Sequence, residues 1–182
     1  MSLIDFLCRS SEFRRRLGDH RERLYRLAYS WCHDPMLADD LAQQALTKAL
    51  RSSSQLRDLA QMQAWLFRIL SNCWRDHLRR SREMVDIDEA PQITEQTPER
   101  LHARSQVVLE VRQAVSALPE GQRQVLTLVD LEGFSYAEVA QILEVPVGTV
   151  MSRLSRARGA LRKRLSRLGR APASPPRLRR VK

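Results

Sequence analysis

Residues Leu118–Leu165 read LPEGQRQVLTLVDLEGFSYAEVAQILEVPVGTVMSRLSRARGALRKRL, and this stretch decides the fold. Its apolar residues recur at intervals of three and four, the period of a helix. Ser135-Tyr136-Ala137-Glu138 fits a capping box, in which the serine hydroxyl accepts from the Glu138 backbone N–H and the glutamate reaches back. Val139, Ala140, Ile142 and Leu143 make the packed side of a short helix, with small Ala140 admitting a close neighbour. Glu144-Val145-Pro146 forms a tight turn, and a second helix starts at Val147-Gly148-Thr149-Val150 with Val150 and Leu154 inward. That second helix has no acid and many arginines. A basic helical hairpin also occurs in ordinary bundles, but capping box, tight turn and acid-free second helix together predict a helix-turn-helix with a helix for the DNA major groove. Met151, Ser152, Ser155 and Arg156 then face the bases, while Arg153, Arg158, Arg162, Lys163 and Arg164 are phosphate partners. Arginine serves both tasks, because its fork fits guanine edges and phosphate oxygens alike.

Upstream, the same period recurs with no strand signal, so the fold class is all-α. A helix is expected from about Asp19 to Cys32 on Leu24, Leu27, Ala28 and Trp31, ended by His33-Asp34-Pro35. The next covers about Ala38–Arg51, with Asp39 and Asp40 in its first turn and Leu41, Ala42, Ala45, Leu46, Ala49 and Leu50 as its buried stripe. A loop at Ser52–Gln55 leads to a long helix over about Met62–Arg82, with Trp65, Leu66, Ile69, Leu70 and Cys73 facing a core. Glu83–Glu99, acidic and with two prolines, reads as a flexible linker. Helix resumes at about Glu99–Ala117, with Leu101, Val108, Val111 and Val115 inward. Leu118-Pro119-Glu120 opens a further helix with proline in its first turn, Val125, Leu128 and Leu131 inward, and Gly133 as left-handed cap. The expected organisation is two small helical domains, residues 1–84 and 101–168, joined by a flexible linker at 85–100 and followed by a basic disordered tail at 169–182.

A net charge of +10 over 182 residues favours a polyanionic partner, and the excess concentrates in Arg153–Lys182. Three separated cysteines, Cys8, Cys32 and Cys73, argue against a disulfide framework and for a reduced, cytoplasmic chain. Beside His33, Cys32 reads as a buried thiol next to a surface imidazole rather than a metal ligand. No apolar run reaches membrane-span length, and at the start the basic cluster follows a very short apolar stretch, the reverse of a secretory signal. With no Gly-rich phosphate loop, metal-ligand spacing or nucleophile–base arrangement, and with His20, His33, His77 and His102 scattered, no enzyme, cofactor, metal or small-molecule substrate is expected.

The motifs L-P-x-x-x-R-x-V-L, G-x-S-Y-x-E-V-A-x-I-L and P-x-G-T-V-x-S-R-L-x-R-A-R in Leu118–Arg158 resemble region 4 of a bacterial sigma factor. HRERLYRLAYSWCHDPMLADDLAQQALTKAL, His20–Leu50, resembles region 2, and AWLFRILSNCWRDHLRR, Ala64–Arg80, resembles its promoter-melting and recognition helix. Two such regions alone resemble the extracytoplasmic-function type of the sigma-70 family. The resemblance implies a factor that joins core RNA polymerase, finds a promoter and helps open it, with an anti-sigma factor as a further partner common in the class. It puts the polymerase contact on Asp40, Gln43 and Gln44, where Gln44 replaces the acid usual at that place. It puts minus-35 contacts on Met151, Ser152, Arg153, Ser155, Arg156 and Arg158, with Met151 and Val129 standing where arginine is frequent and Ser155 where an aromatic is. Minus-10 contacts fall on Ser53, Ser54, Arg68, Asn72, Arg75 and Arg79, within and after the loop that captures an unstacked base. Trp65 is expected in the core, while Trp74 is open to either stacking or burial. The competing reading is a stand-alone helix-turn-helix regulator that binds DNA without polymerase.

Overall fold

The computed structural model describes residues 3–56, 58–85 and 103–167, and within them the regular structure is helical. Helix α1 (Leu3–Asp19) precedes the first helix expected from the sequence; it docks Phe13 edge-on against Trp65 at 6.3 Å between ring centres. Helix α2 (Arg21–Cys32) buries the predicted Leu24, Leu27, Ala28 and Trp31, and ends at His33 in the left-handed region, φ 57°. Helix α3 (Pro35–Arg51) starts three residues earlier than its sequence suggested. Asp34 is the N-cap: its carboxylate accepts from the N–H groups of Met36 and Leu37, with Pro35 at the first helical position. Asp39 and Asp40 are therefore in the second turn, and Asp34 supplies the negative charge at the helix start. The stripe Leu41, Ala42, Ala45 and Ala49 is buried and Leu46 partly so, but Leu50 is 49% exposed at the last turn.

Two short 3-10 turns (Ser53–Gln55 and Leu59–Gln61) lead into α4 (Met62–Val85). Trp65, Leu66, Leu70 and Cys73 are buried as expected, and so is Phe67. Burial pushes up the thiol pKa of Cys73, and that of the half-buried Cys32. The expected linker beyond residue 85 and the tail lie outside the described residues, as do the side chains of Leu101 and Val108.

Helix α5 (Ala103–Ser116) buries Ala114 and half-buries Val115, while Val111 is 39% exposed. Helix α6 (Glu120–Leu126) begins after Pro119, which is its N-cap rather than a first-turn residue. It continues as a single π-helical stretch, Thr127–Leu131. There the Glu132 N–H bonds to the Thr127 carbonyl, five residues back, and Gly133 (φ 78°) closes the end. Val125 and Leu128 are fully buried, but Leu131 is 72% exposed, because the wider turn breaks the three-and-four spacing that placed it inward. Helices α7 (Tyr136–Leu143) and α8 (Val147–Arg167) complete the described residues.

Helices α2, α3 and α4 pack on one another, and α5, α6 and α7 pack with α8. The two groups also meet: α4 lies against α7 and α2 against α6, and one apolar interior runs through both. At the seam Phe67 packs edge-on against Phe134, 5.6 Å between centres. The Trp31 indole N–H donates to the Thr127 hydroxyl at 3.0 Å, with both residues fully buried. Burying an aromatic side chain stabilises by about 1.5–3 kcal/mol, against ~1 kcal/mol or less for an exposed ion pair. Apolar contact and the buried hydrogen bond therefore hold the halves together.

Candidate nucleic-acid interface

The capping box forms as its sequence predicts. Ser135 N–H donates to Glu138 Oε2 at 2.8 Å, the Ser135 hydroxyl donates to the same oxygen at 2.7 Å, and Glu138 N–H donates to Ser135 Oγ at 3.3 Å. The serine hydroxyl and backbone N–H hold the Glu138 carboxyl below its ordinary range. Helix α7 stops at Glu144, a left-handed residue with φ 55°, and α8 restarts after Pro146. Val150, Leu154 and Ala157 of α8 are buried against α6 and α7. At ~100° per residue the opposite side carries Met151, Ser152, Ser155 and Arg156, and all four are exposed together on one face.

The two remaining arginines of that group flank the face. Arg158 donates from Nε and Nη2 to the Asp130 carboxylate at 3.2 and 2.5 Å, which raises its pKa further. Arg153 is half-buried, its guanidinium laid on Gly121 so closely that a Cβ there would sit 3.0 Å from Cζ.

In the first half, Ser53 and Ser54 are exposed on the 3-10 turn, and Arg68 and Arg79 are exposed along α4. Asn72 is half-buried with an unpartnered Oδ1 beside a cleft of about 420 Å³ lined by Lys48, Ser52, Ile69, Arg75, Asp76 and Glu144. Arg79 pairs with Asp76 within α4 at 3.6 Å, whereas Arg75 reaches across to Glu144 at 2.9 Å and to the Leu143 carbonyl at 3.1 Å. Trp65 is in the core, and Trp74 is buried too, 6% exposed, donating its indole N–H to Glu120 at 3.0 Å and stacking on His77. Asp40, Gln43 and Gln44 are exposed on α3. Gln43 donates to Asp39 at 2.6 Å, and Asp39 pairs with Arg21 at 3.3 Å. Among the described residues, Asp40 makes no ion pair.

The sequence reading missed the acids of the second half that receive basic and indole donors of the first. Besides Glu120 and Glu144, Glu132 is 15% exposed in its side chain and accepts from Arg23 at 3.0 Å and Gln63 at 3.4 Å. Acid-poor, arginine-rich α2 and α4 opposite Glu120, Glu132 and Glu144 hint at such pairing, but no spacing along the chain says which arginine meets which acid.

Among the described residues no group of three or more His, Cys, Asp or Glu is placed to hold a metal ion, and no helix is long and apolar enough to cross a membrane.

The chain is similar to known proteins over both halves. Residues 17–83 match Sigma-70 region 2 and residues 109–161 match Sigma-70, region 4. It is 35% identical over 161 residues to the RNA polymerase sigma-H factor of Pseudomonas aeruginosa, covering 82% of this chain and 83% of that one. It is 39% identical over 127 residues to the ECF RNA polymerase sigma factor EcfG of Rhodopseudomonas palustris, 68% of each chain. Its fold matches the sigma factor RpoE of Bartonella quintana, solved in complex with the anti-sigma factor NepR, with TM-score 0.72 and 28% identity over 85% of this chain and 97% of that one.

Proposed function

Because this chain belongs to the sigma-70 family, among its ECF RNA polymerase sigma factors, we propose which of its residues carry each step of initiation. The protein is a transcription initiation factor, and its partners are core RNA polymerase and promoter DNA. Residues 1–84 bind polymerase and the minus-10 element, 85–100 tether, 101–168 bind the minus-35 element, and 169–182 form a basic tail. An anti-sigma factor is a further partner, since the RpoE relative is solved with one. Acting on polymerase places the protein in the cell interior, and we assign it to the cytoplasm.

One observation carries the minus-35 assignment: the exposed face of Met151, Ser152, Ser155 and Arg156 lies opposite the buried Val150, Leu154 and Ala157. A helix anchored along one side and bare along the other can enter a major groove and present short side chains and one guanidinium to base edges. Arg156 is the direct reader, with Arg153 and Arg158 at the edges toward the phosphates. Ser53, Ser54, Arg68, Asn72, Arg75 and Arg79 serve the minus-10 strand. Here Arg75 becomes available only when its bonds to Glu144 and Leu143 part. Asp40, Gln43 and Gln44 offer polymerase a row of acceptors.

Transcription reconstituted with purified core polymerase, followed by start-site mapping, tests this reading. Defined starts that require core are expected; a shift of duplex DNA by the chain alone with no start would favour a stand-alone regulator. In the same assay Arg156→Ala should reduce cognate initiation more than Arg162→Ala, because base contacts specify while phosphate contacts chiefly position. Equal losses on every promoter would oppose the assignment of Arg156.

A further inference from the structure

The buried stripe of α8, Val150, Leu154 and Ala157, holds the helix against α6 and α7. Apolar contact is non-directional, so it sets how close α8 lies and constrains its rotation only weakly. Rotation matters for reading bases. Side-chain tips stand ~5–6 Å from a helix axis, so a turn of about 20° carries them roughly 2 Å. That exceeds the latitude of a good hydrogen bond.

One directional contact and one close steric contact oppose such rotation, one on each flank of the base-reading face. On the side between Leu154 and Ser155, Arg158 grips the two oxygens of Asp130 through Nε and Nη2. A two-pronged arginine–carboxylate pair fixes orientation as well as distance. On the side between Ala157 and Arg156, the Arg153 guanidinium rests on Gly121, which has no Cβ to hold it off. Asp130 itself is fixed in the π-helical stretch, whose Thr127 end is bonded to Trp31 and whose Leu131 end is closed by the Glu132 N–H.

We propose that Asp130 is a positioning residue for promoter discrimination: through Arg158 it sets the rotation of α8 at which Met151, Ser152, Ser155 and Arg156 meet their bases. This rests on the reading of α8 as the base-reading helix. A carboxylate is repelled by DNA phosphates, so Asp130 acts without being a DNA ligand. The consequence has a sign that distinguishes it. Neutralising Asp130 removes a repulsive charge and releases a cation, so nonspecific affinity holds or rises, while discrimination falls. A purely structural loss lowers both, and a purely electrostatic change raises cognate and mismatched binding alike.

The test uses the full chain with core polymerase on the cognate promoter and on single-base variants of its minus-35 element. Asp130→Asn should lower the cognate-to-variant preference by up to about fivefold, the ceiling for a restraint of ~1 kcal/mol, with binding to unrelated duplex unchanged or tighter. Arg158→Lys keeps the charge but not the fork, and should lose discrimination likewise. Exchanging the pair, Asp130→Arg with Arg158→Asp, should recover part of the preference that Arg158→Asp alone abolishes. Melting curves of each variant exclude unfolding, which loss of one exposed pair is too small to cause. Unchanged preference in both Asp130→Asn and Arg158→Lys overturns the proposal. If Arg156→Ala alters the preference and those two do not, only the role of Asp130 falls. If the wild-type holoenzyme prefers no promoter, the base-reading assignment falls with it.

Discussion

Arg75 of α4 and Glu144 at the helix-turn-helix corner are 69 residues apart in sequence and bonded in space, Nη1 to Oε2 at 2.9 Å, while Arg75 Nη2 holds the neighbouring Leu143 carbonyl. A guanidinium on the proposed minus-10 helix is thus committed to the domain proposed to read the minus-35 element. On that proposal, DNA and Glu144 compete for the same group.

Glu144→Gly should therefore favour release of Arg75. It removes the carboxylate and also relieves a left-handed backbone that costs a non-glycine residue roughly 1–2 kcal/mol, so the variant should melt no lower than the parent. Since an exposed pair contributes ~1 kcal/mol or less, the gain should be modest, up to about fivefold. Fluorescence anisotropy with a labelled single-stranded minus-10 oligonucleotide reads it. Identical binding by parent and variant would mean that the contact does not restrain Arg75.

Thr127→Val leaves the Trp31 indole N–H at the seam without its acceptor. An unsatisfied buried donor costs about 1–3 kcal/mol, and urea unfolding should show a loss of that size. Thr127→Ser, which keeps the hydroxyl, should lose much less. Equal losses in the two variants would assign the effect to packing of the methyl group instead of to the hydrogen bond.

Ser135→Ala breaks the capping box and should lower stability by about 1 kcal/mol at neutral pH. The effect has a defined pH dependence. The folded Glu138 carboxyl titrates below its ordinary 4.5, so its contribution is complete above that value and disappears as pH falls through the lower, folded value. The gap in melting temperature between parent and variant should narrow as pH drops below 4.5 without closing, because the bond from the Glu138 N–H to the Ser135 hydroxyl does not titrate; a gap that stays constant into acid would contradict the role of the charged carboxylate.

Asp40→Lys should weaken binding to core polymerase, by about tenfold or more if the charge faces a basic partner surface. Gln44→Glu should do the reverse by restoring an acid beside it, and both effects should shrink at high salt. Titration of labelled core measures them. A Gln44→Glu variant with unchanged affinity and an Asp40→Lys variant that still co-purifies with core would move the docking face elsewhere.

Much of the molecule was legible because much of it is local. The capping box of Ser135 and Glu138 spans three residues, and Val150 and Leu154 recur at the helical period, so a linear reading captures them. The exposed face of α8 proposed for base readout followed from that period, since fixing the inner side of a helix fixes its outer side. Local reading failed where the period changes. The π-helical stretch at Thr127–Leu131 exposes Leu131, and Pro35, which ends one helix as expected, also begins the next three residues before its expected start because Asp34 caps it. Trp74 could not be assigned along the chain because its partner, Glu120, lies 46 residues away.

The amino-acid order alone determined most of the helices, most of their inner faces and the arginine-rich α8, because hydrogen bonds and side-chain neighbours three or four residues apart are written directly into sequence; it did not give α1, nor the exposure of Leu50, Val111 and Leu131. Only the tertiary structure decided that Trp31 bonds Thr127, that Arg23 meets Glu132, that Arg75 is held by Glu144 and that Asp130 grips Arg158. Those partners are 28 to 109 residues apart. Many arginines and several acids are chemically equivalent candidates, and only the packing of apolar surfaces brings particular ones within reach.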